Sequence, residues 1–231
     1  MIRIPELIQS AKRSKLAYKN PKDLPYTFIS SPPESKQDCQ GYIWRENKSL
    51  FMTFRGTLNK NDMMANLDVR IQRLKNGIKI HQGFFNQFMS VESSIKDCID
   101  MNSDVTDVYI TGHSLGGSLS HIASVYFAEL YPHMAFTCHS FGSPKVGNDK
   151  FAEWFYTHVK SHVRVVNKKD PVTTLPHGSN WVHLKNCLEL DDQYMKLTHD
   201  EEPWYKRINL SSLIYEHDID VYINRLYAHE I

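Results

Sequence analysis

The chain has 231 residues, of which 41% are hydrophobic and 23% charged, and its formal net charge is +1. This length and balance are typical of an ordinary soluble protein with one sizeable core, so we expect a single domain over residues 1–231. No run approaches the ~20 apolar residues of a membrane span. Nothing in the charge pattern, neither a basic block nor an acidic tail, indicates a nucleic-acid partner.

The first residues lack the apolar segment of a signal peptide. The four cysteines, Cys39, Cys98, Cys138 and Cys187, are widely spaced and form no C-x-x-C pair. That usage is typical of reduced, packed thiols in an intracellular protein rather than of a disulfide framework or a zinc site. We therefore expect a cytoplasmic location, and a secreted form whose signal has been trimmed is the alternative.

The first fifth of the chain predicts a helix, a loop and a hairpin. Residues 4–18 place a short apolar stripe on one helical face, which favours a helix packed on the protein body over a basic membrane-surface helix. Residues 20–37 are rich in Pro, Ser and Lys and predict a loop. Two β-forming runs, 41–45 and 50–55, flank a polar turn and predict a hairpin.

The remainder alternates between strand and helix patterns. Residues 58–79 are polar and mixed, and a long helical segment then extends to about Ile99. Strand patterns at 106–111, 134–140 and 162–167 are separated by helical ones, which predicts parallel βαβ units and an α/β fold with a mostly parallel sheet. Three further predictions are a last strand at Trp181–Leu184, an irregular stretch at 188–210 and a terminal helix at Leu213–Tyr227.

One stretch combines a strand, a sharp turn and a helix around a serine. The β-forming run Val108–Ile110 leads into Gly112-His113-Ser114-Leu115-Gly116, and a helical pattern follows at once. This is the context of a nucleophile elbow, in which a serine sits on a strained turn and flanking glycines avoid collisions with the neighbouring strand and helix. The following helix would point its free N–H groups at a developing oxyanion.

A nucleophilic serine needs a base, and the base needs an acid to fix its tautomer. Asp170 follows a predicted strand and precedes Pro171, which is the place of the acid in an α/β-hydrolase. Chain order puts the base after Asp170, and His217 opens the terminal helix pattern there. On the residues alone, the four other histidines in that region remain open as alternatives: His177, His183, His199 and His229.

The tetrahedral oxyanion needs two hydrogen-bond donors. In an elbow, one is the backbone N–H of the residue after the nucleophile, here Leu115. The other should come from the end of an earlier strand. Phe54-Arg55-Gly56-Thr57 fits, because Gly56 allows close approach of the backbone and Thr57 offers both an N–H and a hydroxyl.

Taken together, these pieces resemble the class 3 (fungal-type) lipase family of α/β-hydrolases. The matching motifs are Phe54–Thr57, His81–Phe84, Gly112–Gly117, Phe141–Gly147, Arg164–Asn167 with Asp170–Val172 and Leu175–Pro176, and a plant-like His217–Tyr222. The resemblance implies Ser114 as nucleophile, Asp170 as acid, His217 as base, and Thr57 with Leu115 as the oxyanion hole. It gives His81 and Gly83 a structural role.

The resemblance also implies a serine hydrolase that cleaves carboxylic esters of lipids such as acylglycerols, without a metal or organic cofactor. Lipid esters are the expected partner, with transient contact to a membrane or lipid-droplet surface. Phospholipase A1 activity is one alternative, and a non-catalytic lipid-binding protein is another. Two features depart from the family: Met63 follows Asp62 where members usually carry Trp, and residues 58–79 are only weakly apolar for a lid.

Overall fold

The protein is described here from a computed structural model that covers residues 3–57, 69–198 and 213–230. The predictions made for Asp62, Met63 and His199 lie outside the described residues. The strands are β1 (Thr27–Ser30), β2 (Gln40–Glu46), β3 (Ser49–Phe54), β4 (Ile71–Arg73), β5 (Lys79–His81), β6 (Asp107–His113), β7 (Ala135–Phe141), β8 (Ser161–Asn167), β9 (Cys187–Leu190) and β10 (Met195–Thr198). The α-helices are α1 (Ile4–Leu16), α2 (Gln82–Met89), α3 (Glu92–Asp100), α4 (Leu115–Leu130), α5 (Asp149–His158), α6 (Leu213–Glu216) and α7 (Ile219–Ala228).

One large sheet organises the chain, in the order β1-β2-β3-β6-β7-β8-β9-β10. The central strands β3, β6, β7, β8 and β9 run parallel, whereas β1–β2, β2–β3 and β9–β10 are antiparallel pairs. The predicted mostly parallel α/β sheet is confirmed. Because parallel strands end at the same edge, β3, β6 and β8 bring Thr57, Ser114 and Asp170 to one side of the molecule.

Helices cover both faces of this sheet. On one face, α2, α3, α4 and α5 pack on a large cluster that includes Phe88, Leu119, Phe127, Phe136 and Phe155. On the other face, a second cluster joins α1 and α7 to β7, β8 and β9. The parallel strands are therefore buried on both sides, which is the usual condition for such a sheet.

Helix α1 packs on the protein body, as the short apolar stripe indicated. Leu7, Ile8 and Ala11 are at most 2% exposed and lie in the cluster shared with α7. Among the described helices, none is both long and apolar enough to cross a membrane.

Several predicted boundaries were wrong, and each has a local cause. The segment up to Ile99 is two helices, because the Ser90 hydroxyl donates to the Gln87 carbonyl and the helix ends there. The predicted loop 20–37 contains β1. The strand proposed at Trp181–Leu184 is a single bridge at Val182, and the stretch thought irregular begins with the hairpin β9–β10. The terminal helix breaks at His217, and Asp218 caps α7.

Candidate active site

The backbone of Ser114 is strained in the way that an elbow requires. Its φ is 60° and its ψ is −130°, a region that L side chains rarely adopt. The flanking glycines are required by close packing: a Cβ at Gly112 would overlap the Gly116 carbonyl, and a Cβ at Gly116 would overlap the Phe54 carbonyl. The turn therefore fits tightly between β3 and α4 and holds the serine at the end of β6.

The surrounding backbone fixes this turn and leaves donors at the start of α4. The Ser114 N–H donates to the Phe141 carbonyl at 2.9 Å, and the Ser114 carbonyl accepts from the Gly117 N–H at 2.9 Å. Helix α4 begins at Leu115, and the first N–H groups of a helix have no acceptor within the helix. The Leu115 N–H and the positive end of the helix dipole are thus available to a negative charge that develops beside Ser114.

Asp170 and His217 form a buried pair at the same edge. Asp170 is fully buried and lies three residues after β8, and its Oδ2 accepts from His217 Nδ1 at 2.8 Å. The other carboxylate oxygen accepts from the Val172 N–H at 2.9 Å. Because Nδ1 donates to the carboxylate, the neutral His217 ring presents Nε2 as an unprotonated acceptor.

Contacts of the preceding residue, Glu216, fix the segment that carries His217. The carbonyl of Glu216 accepts from the Asn167 amide at 2.8 Å, and the Glu216 carboxylate pairs with Arg225 at 2.6 Å. Both Glu216 and Arg225 are buried. A buried ion pair broken on one side is strongly destabilising, so these contacts hold the break between α6 and α7 in place.

His217 also lies against the elbow. Its ring centroid is 4.7 Å from that of His113, the residue before Ser114. Within the described parts of the chain, His217 Nε2 is buried without a hydrogen-bond partner, so the expected contact with Ser114 Oγ is not formed as a hydrogen bond. Such bonds often tighten only in the substrate complex.

Thr57, the other expected oxyanion donor, follows β3 on the opposite side of Ser114. A Cβ on the preceding residue, Gly56, would lie 3.1 Å from the Ser114 Cβ and 2.7 Å from the His113 carbonyl. This contact brings the strand end against the nucleophile. Thr57 is half-buried and lines a cavity of about 340 Å³ together with Tyr18, His113 and Asp218.

The other described histidines downstream of Asp170 lie elsewhere. His183 contacts the Arg164 guanidinium and the Thr173 carbonyl, and His229 contacts the Asp191 carbonyl at 3.2 Å. His177 is exposed. The structure therefore brings Asp170 and His217 into direct contact beside Ser114. Over the described residues, no group of three or more His, Cys, Asp or Glu side chains is arranged to hold a metal ion.

Comparison with known proteins identifies the family of the chain. The sequence profile of the family described as Lipase (class 3) matches residues 51–180, which is more than half of the chain. The chain belongs to the class 3 lipase family. The predicted resemblance is therefore confirmed.

The alignments with curated relatives cover only part of each protein. It is 28% identical over 155 residues to "Secreted mono- and diacylglycerol lipase 1" of Fusarium solani, an alignment that covers 64% of this chain and 46% of that protein. It is 24% identical over 196 residues to "Phospholipase A(1) DAD1, chloroplastic" of Arabidopsis thaliana, which covers 71% of this chain and 44% of the relative. The chain thus spans about half the length of the curated relatives it matches.

Solved structures show the same fold. A Rhizomucor miehei lipase propeptide complex superimposes with a TM-score of 0.77 at 18% identity, over 93% of this chain and 78% of the other. At this identity the similarity concerns the fold, and the predicted α/β-hydrolase architecture is confirmed.

Sequence reasoning missed one residue that touches the Asp170 carboxylate. The Tyr222 hydroxyl donates to Asp170 Oδ2 at 2.6 Å, the same oxygen that binds His217. Burial and the Asp170 charge raise the pKa of Tyr222 well above its usual value, so the phenol stays protonated. In the sequence, Tyr222 appears as an apolar position of the terminal helix and as the end of the His217–Tyr222 motif. Neither signal assigns a partner to its hydroxyl.

The same carboxylate explains a second feature that the sequence did not predict. Gly142 follows β7 with a φ of 58°, and a Cβ there would lie 2.8 Å from Asp170 Oδ2 and 3.0 Å from the Tyr222 hydroxyl. Glycine is required for both its conformation and its size. Gly142 thus leaves room for the shared hydrogen bonds of Asp170.

Proposed function

We propose that this class 3 lipase family member hydrolyses carboxylic esters of lipids, with Ser114 as nucleophile, His217 as base and Asp170 as acid. The observation that supports this most directly is the fully buried Asp170–His217 pair, joined at 2.8 Å beside a serine held on a strained elbow. A buried carboxylate is costly unless it is paired and hydrogen-bonded. Here its partners leave the Nε2 of His217 directed away from the carboxylate as an acceptor.

In the proposed reaction, Ser114 Oγ forms a bond to the ester carbonyl carbon while His217 Nε2 takes the hydroxyl proton. The carbonyl π electrons move to the oxygen, and the Leu115 N–H and Thr57 stabilise this oxyanion. The intermediate collapses, the bond to the leaving oxygen breaks, and His217 Nε2 gives its proton to the departing alcohol. Water then repeats the sequence and releases the fatty acid.

Asp170 acts on His217 rather than on the substrate. Its negative charge stabilises the imidazolium that forms when His217 takes the serine proton, and the bond to Nδ1 fixes the tautomer. Tyr222 and the Val172 N–H orient the carboxylate, since they occupy positions on its two oxygens. No metal or organic cofactor takes part in this scheme.

The test is covalent labelling of Ser114. A fluorophosphonate probe should phosphonylate the wild-type protein, and Ser114→Ala should abolish labelling and lower turnover of a p-nitrophenyl ester by roughly 10⁶-fold. Ser124→Ala is the matched control, because Ser124 is a buried serine in helix α4, which directly follows Ser114. Undiminished hydrolysis by folded Ser114→Ala, or an unlabelled wild type, contradicts the proposal. The second outcome favours a lipid-binding protein.

For the substrate class, we propose acylglycerols, with phospholipase A1 activity as the second candidate. The two are supported by different relatives, since the names of the Fusarium and Arabidopsis proteins specify mono- and diacylglycerol and phospholipid, respectively. A panel of mono-, di- and triacylglycerols and phosphatidylcholine, with fatty-acid release as the measurement, distinguishes them. Activity that requires vesicles or emulsions would in addition support transient contact with a lipid surface.

A further inference from the structure

His113, the elbow residue that precedes Ser114, forms hydrogen bonds through both ring nitrogens. Its Nε2 lies 2.7 Å from the backbone carbonyl of His217, and its Nδ1 lies 2.9 Å from the Tyr18 hydroxyl. A carbonyl can only accept, so His113 Nε2 carries the proton and donates it. In the neutral ring Nδ1 is then an acceptor, and the Tyr18 hydroxyl donates to it.

Tyr18 in turn contacts the strand end that carries Thr57. A Cβ on Gly56 would overlap the Tyr18 hydroxyl oxygen, so the two groups are in direct contact. Burial raises the pKa of Tyr18, so the phenol stays protonated. The Tyr18 hydroxyl thus touches the Gly56 backbone while its proton goes to His113.

These contacts form a series: the Tyr18 hydroxyl touches Gly56 and donates to His113, and His113 donates to the His217 carbonyl. Both hydrogen bonds have one possible direction, because the series ends at a carbonyl, which can only accept. Hydrogen bonds aligned in this way polarise one another in a buried setting. This series connects the backbone at Gly56, next to Thr57, with the backbone at His217.

We propose that Tyr18 and His113 are positioning residues that hold the base and the oxyanion donor at a fixed separation around Ser114. This rests on the proposed function of the site. Neither side chain exchanges a proton with the substrate: His113 Nε2 is engaged by the His217 carbonyl, and the Tyr18 proton is engaged by His113. Their contribution is geometric, and misplacement of reacting groups by about 1 Å can cost on the order of 100-fold in rate.

The first experiment replaces only the connecting hydroxyl. Tyr18→Phe is expected to lower kcat for a soluble p-nitrophenyl ester by roughly 10- to 100-fold with KM nearly unchanged. Tyr42→Phe is the matched control, because the fully buried Tyr42 also donates one hydrogen bond, to the Lys19 carbonyl at 2.7 Å. A kcat within twofold of wild type, or an equal loss in Tyr42→Phe, overturns the proposal.

A second variant tests whether the two residues act together. His113→Gln keeps a donor near the Nε2 position and removes the acceptor for Tyr18. If the connection matters, the double variant Tyr18→Phe/His113→Gln should be no slower than the slower single variant. If the fold losses in kcat of the two single variants multiply in the double variant, the two residues act independently and the proposed connection is overturned.

A spectroscopic measurement separates this inference from the proposed function. In ¹⁵N-labelled protein, the imidazole signals of His113 in the wild type should report the tautomer with the proton on Nε2. The His217 signals should shift in Tyr18→Phe and stay in place in Tyr42→Phe. This holds whether or not any ester is hydrolysed. Unchanged His217 signals in Tyr18→Phe overturn the positioning role, whereas an inactive wild type overturns only the proposed function.

Discussion

The buried His217 and three buried histidines of the interior differ in the group that lies beside each ring. At the site edge, His217 donates to the buried carboxylate of Asp170. In the interior, His121, His139 and His162 bond to a serine hydroxyl or a backbone carbonyl. Burial lowers the pKa of His139 and His162 to about 4 and that of His121 well below its usual value, and the charge of Arg164 adds to this for His121 and His162.

Burial without a neighbouring carboxylate therefore lowers the pKa of a histidine. An interior imidazole surrounded by neutral groups and a guanidinium cannot accept a proton near neutral pH. A buried imidazole with a carboxylate on Nδ1 has its positive form stabilised at the moment of proton transfer. The choice of base therefore depends on its partner, Asp170.

The largest effect should come from removing the base. His217→Ala is expected to lower kcat by on the order of 10⁴- to 10⁶-fold, since loss of a triad member leaves only binding and the oxyanion hole. His139→Gln should keep the wild-type kcat, because His139 is one of the interior histidines and not part of the site. Ester hydrolysis under saturating substrate measures both. A large loss in His139→Gln would remove the distinction between His217 and the interior histidines.

Removal of the Thr57 hydroxyl should have the next largest effect. Thr57→Val keeps the shape and the backbone N–H, and kcat should fall by roughly 10²- to 10³-fold with KM little changed if the hydroxyl donates to the oxyanion. Steady-state kinetics on a soluble ester give both constants. An unchanged kcat would mean that the backbone N–H is the sole donor from this residue.

The interior histidines should make the fold sensitive to acid. The folded pKa of His139 and that of His162, both about 4, lie below the ordinary histidine value near 6.5, so the unfolded chain binds more protons between these two values. Stability is thus fully present above pH 6.5 and falls as the pH drops toward 4, by an upper limit of about 3 kcal/mol for each of His139 and His162.

Urea unfolding from pH 7.5 to pH 4.5 measures this effect. The double variant His139→Gln/His162→Gln, whose side chains do not titrate there, should lose less stability over that range than the wild type. If the free energy of unfolding falls equally with pH in both proteins, the acid sensitivity arises elsewhere.

The smallest expected effect concerns the orientation of the acid. Tyr222→Phe removes one of the two hydrogen bonds to Asp170 Oδ2 and leaves the aromatic packing of α7. We expect kcat to fall by roughly 10-fold, which corresponds to about 1.4 kcal/mol for a hydrogen bond to a charged group. A loss as large as that of His217→Ala would instead place Tyr222 among the reacting groups.

The sequence predicted features that are local in the chain. The strand–turn–helix around Ser114 and the alternation that gives the parallel sheet follow from nearby glycines and apolar periodicity. Asp170 is marked by its place after a strand and before a proline. Each of these signals lies within about a dozen residues.

Features that depend on side chains distant in sequence were not predictable from a pattern. Tyr18 reaches His113 across 95 positions, and Tyr222 reaches Asp170 across 52. In both, the ring has the signature of an apolar residue, and only the fold shows where its hydroxyl points. The hairpin β9–β10 was missed because Glu189 is buried and accepts from Tyr194, so its polarity did not mark a surface position.

The backbone of Ser114 sets a limit on how stable this protein can become. A positive φ at a residue with a side chain costs on the order of 1–3 kcal/mol, and a glycine at position 114 would relieve most of that cost. The same change would remove the hydroxyl on which the proposed reaction depends. Selection for activity and selection for thermal robustness therefore oppose each other at this residue, and any gain in robustness has to evolve at other positions.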